Sequence, residues 1–191
     1  MSDEEFIKEF NFVKDITESW KFPPENSSVA LVVYADWAKT IPLNPDDNSF
    51  SVQLNEMEAR TRVESKYRRM DLALTEAAGN FSGHSLQQQL VVLITAGRQF
   101  SGTEKDDDHD FLVSATEVLS SKNIKVVIVP VGLETDFRQL GLIVKRPQSL
   151  YPLDSFDDMT PDAAQNIASN IIKTIGKIIS NHFLRSIFLF M

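Results

Sequence analysis

The chain contains no cysteine, which excludes disulfides, thiolate metal sites and cysteine nucleophiles. This leaves the compartment open, because an α/β core of this size needs no covalent staple. Basic clusters are also missing. Lys and Arg number 19 against 27 Asp and Glu, for a net charge of −8, so nucleic acid is excluded as the main partner. Glycine is scarce, at seven residues, and none falls in a G-x-G-x-x-G or P-loop pattern, which removes the usual nucleotide-binding signals. The three histidines, His84, His109 and His182, do not cluster. With no G-x-S-x-G and no H-E-x-x-H, no catalytic residue is assigned. No apolar run is long enough to span a membrane. The most apolar stretch, Phe183–Met191, has nine residues and an internal Arg185. The start, Met1-Ser2-Asp3-Glu4-Glu5, is acidic and lacks an apolar core, so the sequence as written shows no signal peptide. N-x-S triplets at Asn26 and Asn80 arise readily by chance and decide nothing.

What is present is a 191-residue chain with 42% hydrophobic and 24% charged residues, the composition of one globular domain. Ser2 and Glu5 form an S-x-x-E capping box. Phe6, Phe10, Val13, Thr17 and Trp20 follow at helical spacing and predict one apolar helix face. Val29–Tyr34 is a continuous apolar run of strand length, and a short strand over Ala38–Leu43 follows, with Pro42 suiting an edge. Asn44–Ser51 reads as a loop, Leu54–Glu64 as a weak helix, and Met70–Ala78 as a better helix ended by Gly79-Asn80. A buried strand over 89–95 stops abruptly at Thr95-Ala96-Gly97. Ser101–Asp110 reads as a hydrophilic loop leading into a helix over 111–119, and Lys125–Gly132 as another buried strand. A short helix over 135–144 and an extended piece over 149–152 precede a helix capped by Thr160, with Pro161 first. Its apolar face runs through Ala164, Ile167, Ala168, Ile171, Ile172, Ile175, Ile178 and Ile179. Apolar strands alternating with amphipathic helices predict a Rossmann-like three-layer α/β/α fold: a mostly parallel sheet covered on both sides, with one short antiparallel edge strand.

These pieces, in this order and spacing, resemble the von Willebrand factor A domain. The matching residues are Val29–Asp36 with Ala38–Thr40 and Pro42–Asn44, Met70–Leu74, and Val91–Gly97. Ile124–Gly132, Phe137–Leu140 with Pro147, and Asp154–Met159 continue the match. The resemblance sets a domain over 2–182 that lacks its first strand, followed by an apolar tail over 183–191. It implies a ligand site at the carboxyl ends of the strands, where a divalent ion completes a partner's acidic side chain. In the family the ion's ligands come from D-x-S-x-S after the first strand, a Thr in a later loop, and the Asp of T-D-G. In this sequence the D-x-S-x-S strand is missing, Arg68 aligns with the Thr and Ala96 with the Asp. Mg²⁺ needs hard oxygen ligands, so no metal residue and no cofactor is assigned. The plainer reading of Arg68 is a solvated side chain on a degenerate loop. The other reading puts its guanidinium where the ion would sit.

The missing strand is central in the family's sheet. Its loss leaves 29–34 and 89–95 without a shared neighbour, and unpaired buried backbone is costly. Ile187–Met191 is apolar enough to fill the gap, but a sequence truncated at both ends is the simpler account. The acidic run Asp106–Asp110 lacks the Ca²⁺-loop pattern and reads as solvated residues before a helix. Trp20 and Trp37 read as core and turn packing, with Trp37 the better exposed. The function expected is a non-enzymatic protein-binding or adhesion module with a degenerate, metal-free site. Its contact residues are Arg68, Arg69, Ala96, Gly97, Arg98, Asp36 and Trp37, and its partner is a protein, of matrix or cell-surface type if the family's extracellular setting applies. A small-molecule-binding or hydrolytic α/β protein using the same face, or a remnant without ligand, are the alternatives.

Overall fold

In a computed structural model the chain is described over residues 2–19, 27–42, 67–81, 88–100, 105–144, 147–176 and 184–190. In chain order the elements are α1 (Asp3–Ser19), β1 (Ser27–Tyr34), β2 (Ala38–Pro42), α2 (Met70–Asn80), β3 (Gln88–Thr95), α3 (Lys105–Ser121), β4 (Lys125–Pro130), α4 (Phe137–Ile143), α5 (Pro161–Gly176) and β5 (Leu184–Phe190). The expected helix over 54–64, the loop over 44–51, Trp20 and the end of the isoleucine face beyond Gly176 lie outside the described residues. Among the described residues no helix is long and apolar enough to cross a membrane.

The five strands lie in the order β2-β1-β5-β3-β4. β2 pairs antiparallel with β1 at one edge, and all other pairings are parallel. Beyond β4, single bridges from Leu150 to Ile128 and from Leu153 to Val131 continue the sheet. Both faces of the central strands are covered, and their side chains divide between two cores by strict alternation. Leu31, Val33, Leu90, Val92 and Ile94 pack with α1 and α5, around Phe10, Phe12, Val13, Ile16, Ala164 and Ile167. Val32, Tyr34, Val91 and Leu93 pack with α2, α3 and α4, around Met70, Leu74, Leu112, Leu119 and Leu140. A strand buried on both faces needs the unbroken apolar runs seen at 29–34 and 89–95.

Three expectations are corrected. The segment set apart as a tail is the middle of the sheet: residues 184–189 of β5 bond both to β1, from Ser27 to Val32, and to β3, from Gln88 to Leu93. The position between β1 and β3 is therefore filled, because two buried ladders demand a partner and this apolar run supplies one. Second, the acidic run 106–110 is helical, since α3 already starts at Lys105. Carboxylates in a first helical turn are favoured by the backbone dipole. Third, the buried face of α1 is Glu9, Phe10, Phe12, Val13 and Ile16. It is rotated from the expected stripe so that Glu9, not Phe6, is fully enclosed. The capping box forms as expected: Ser2 N donates to Glu5 Oε2 at 2.6 Å, and Glu5 N donates to Ser2 Oγ at 3.2 Å.

Candidate functional site

The loops at the carboxyl ends of the strands divide into two halves. One half is built from the turn after β1, the segment before α2 and the loop after β3. Backbone bonds join all three. Arg69 N donates to Ala35 O at 2.7 Å, and Arg68 and Phe100 exchange N–H···O bonds at 2.9 Å each way. The abrupt end of β3 at Thr95-Ala96-Gly97 depends on Gly97, whose φ is +138°, a conformation that side chains rarely adopt. The space that a Cβ would take there holds the Arg68 guanidinium. A Cβ on Gly97 would stand 2.5 Å from Nη1 and 3.1 Å from Cζ. Arg68 is half-buried and lies directly over the turn.

The next residue, Arg69, is committed inward. Its Nε and Nη2 donate to Asp71 Oδ1 and Oδ2 at 2.8 and 2.7 Å, the two-pronged geometry that guanidinium and carboxylate share. Gln99 completes the cluster. Its amide Nε2 donates to Asp71 Oδ1, its Oε1 accepts from Asp71 N at 3.3 Å, and its own N donates to Gln139 Oε1 at 2.8 Å. Gln139 sits in the first turn of α4, where Asp136 caps the helix. Burial pushes the Asp71 carboxyl up, but the bonds from Arg69 and Gln99 outweigh it, and the net shift is downward. The Asp71 bond holds the Arg69 guanidinium above its ordinary value, against the opposing effect of burial. Around this cluster lie exposed aromatic rings: Tyr67 and Phe100 with centroids 5.9 Å apart, Arg98 over Phe100 at 6.0 Å, and Arg69 over Phe111 at 5.0 Å.

Beneath this half lies Tyr34, the last residue of β1 and fully buried. Its hydroxyl makes no well-aligned hydrogen bond among the described residues. The neighbouring Thr95 hydroxyl donates instead toward Met70 Sδ at 3.6 Å. Burial raises the phenol, contact with Thr95 opposes this, and the charges of Glu9 and Arg68 act in opposite directions. The result is upward, so Tyr34 stays protonated.

The other half is a cavity of about 490 Å³ between the start of α1, the turn after β4 and the segment 154–157. Arg68 and Ala96 reach its edge. Lys8 lies within it, donating to Asp157 Oδ1 at 2.7 Å and paired with Glu4 at 2.9 Å. Both carboxylates hold the Lys8 ammonium above its ordinary range, and Lys8 in turn lowers Asp157. Gly132, at φ +75°, turns the chain so that Leu133 stands 96% exposed at the rim.

The structure thus brings together most of the contact residues expected from sequence. Arg68, Ala96 and Gly97 meet at the end of β3, with Arg69 and Arg98 beside them. Asp36 is exposed one residue from Ala35, while Trp37 is half-buried against the α1 and α5 core. Sequence reasoning missed Asp71, Gln99 and Gln139, which carry no motif and meet only through the fold. It also missed Leu133, although an apolar residue just after the Val131-Gly132 turn was a usable signal. The ion that the resemblance implies does not fit these residues. Ala96 offers no ligand, and Arg68 places a fixed positive charge over the turn. Among the described residues no three His, Asp or Glu side chains gather where a metal could sit.

Comparison with known proteins bears on the family and the fold. The sequence pattern of the von Willebrand factor type A domain matches residues 1–170. No curated protein matches the chain. Among solved structures, proximal thread matrix protein 1 from the mussel byssus superposes with a TM-score of 0.66 at 19% identity, covering 86% of this chain and 41% of its own. A form of that protein described as having a zinc-occupied MIDAS motif gives 0.71 at 14% identity, covering 89% and 43%. BatB from Bacteroides thetaiotaomicron gives 0.65 at 16% identity, covering 88% and 87%. At such identities the likeness concerns the fold alone, and the chain spans about two fifths of the byssus protein's length.

Proposed function

Because the chain belongs to the von Willebrand factor type A domain family, whose members typically mediate protein contacts, we propose that it is a non-enzymatic protein-binding module whose contact surface works without a metal ion. The supporting observation is the Arg68 guanidinium lying over Gly97. The positive charge that an ion would bring to the end of β3 is already part of the chain. A side chain, unlike a bound ion, cannot be removed by chelators. The contact surface combines Arg68, Ala96, Gly97, Arg98, Asp36 and the edge of Trp37, with Arg69 holding the loop in place. Tyr67 and Phe100 add exposed aromatic area of the kind that anchors interfaces. The reading takes the partner to be a matrix or cell-surface protein in an extracellular setting, supported by the family and by the byssus matrix protein among the structural neighbours.

Titration calorimetry with Mg²⁺ and Mn²⁺ tests the reading. The expected result is no saturable heat with either ion. Micromolar binding of either ion would remove the basis for a metal-free site. Thermal unfolding with and without EDTA gives a second readout, and the midpoint should not move. In Arg68→Ala, loss of the fixed charge should lower retention on immobilised matrix proteins while leaving the fold intact by circular dichroism.

A further inference from the structure

We propose that the position between β1 and β3 is a strand-acceptor site that takes residues 184–190 either from its own chain or from a second copy, so that two copies can exchange β5. The sheet order carries the argument. β5 hydrogen-bonds on both sides, to Ser27–Val32 of β1 and to Gln88–Leu93 of β3. Those neighbours are enclosed on both faces, with Leu31–Val33 and Leu90–Leu93 all buried. An empty position would leave two rows of N–H and C=O groups unpaired inside the protein, which is costly. The position therefore requires a parallel apolar strand in this register.

Nothing in that requirement distinguishes one copy from another. The other strands are tied to a neighbour by local connections. β1 and β2 are joined by the turn at Ala35–Trp37, and β3 and β4 by α3. Among the described strands, β5 is the one that pairs only with strands far from it in sequence. Exchange keeps every strand–strand contact and changes only which chain supplies it, which makes it a low-cost route to a dimer that mass action favours.

The test refolds the 191-residue chain from denaturant at a series of protein concentrations and measures mass by light scattering after gel filtration. A two-chain fraction should grow with refolding concentration and persist after dilution into native buffer. The absence of cysteine allows its origin to be read. Gln89 and Arg185 are register partners on adjacent strands, about 4.8 Å apart and within disulfide reach. In the pair Gln89→Cys with Arg185→Cys, oxidation of the two-chain fraction should give a covalent dimer on a denaturing gel without reductant. The one-chain fraction should give an internally bridged monomer. Val91→Cys with Ile187→Cys, also register partners, serves if the first pair does not fold. A single-chain mass at every refolding concentration overturns the proposal. So does a two-chain fraction bridged within each chain, since the copies then meet by another surface. Either result leaves the metal-free binding surface untouched.

Discussion

Two ion-pair clusters face the same end of the sheet, and they are built differently. In one, Arg69 and Asp71 are two-pronged partners, Asp71 has only 8% of its side chain exposed, and Gln99 and Gln139 tie the pair to two further segments. In the other, Lys8 joins Glu4 and Asp157, whose side chains are 79% and 84% exposed. Water can replace either partner of the second cluster but neither partner of the first. The difference shows where the site is rigid. The half carrying Arg68 is locked by buried polar bonds that fix its shape, whereas the half around the cavity can re-pair when something binds.

The comparison breaks most sharply at Asp71. Removing the carboxylate in Asp71→Ala leaves the Arg69 guanidinium and the Gln99 amide without their partner. The expected loss is about 3 kcal/mol in urea unfolding. A loss no larger than that of an exposed-residue variant would mean that the first cluster is as soft as the second. Gly97→Ala comes next, at about 2 kcal/mol, from strained backbone and from the collision with Arg68. In the double variant with Arg68→Ala the collision disappears, so the combined loss should fall short of the sum of the two.

Acid titration sharpens the contrast at a smaller scale. The folded Asp71 carboxyl lies below its unfolded value of about 3.9. Its contribution is therefore complete above that value and is lost as pH falls through the folded one. Unfolding midpoints measured from neutrality downward should drop below roughly pH 4, and Asp71→Asn should flatten that drop. Lys8→Ala should shift the neutral-pH midpoint by no more than measurement scatter, although it severs two ion pairs. Leu133→Ser should have the least effect of all, because its side chain gives up almost no buried area.

Much of this fold is legible in the sequence because its signals are local. The apolar runs at 29–34 and 89–95 announce strands enclosed on both faces, and the Ser2–Glu5 box marks the start of a helix. What local pattern cannot give is partnership between distant segments. Leu184–Phe190 reads as an apolar tail because parallel pairing leaves no trace in neighbouring residues. The start of α3 was hidden because aspartates suit both a loop and a first helical turn. The rotated face of α1 was not legible because it includes Glu9, and carboxylates are rarely enclosed. At the site, Ala96 stands where the resemblance expects the Asp of T-D-G, and the sequence alone shows this. The position of Arg68 depends on how three loops meet.

The place of β5 also sets a timetable. Ser27 pairs with Leu184, with almost the whole chain between them. During synthesis β1 and β3 leave the ribosome long before the strand that joins them, and until it arrives each has an open apolar edge. Such long-range pairing makes folding slow and leaves the nascent chain open to aggregation. A ribosome that pauses before residue 184 would hold a chain whose sheet cannot yet close.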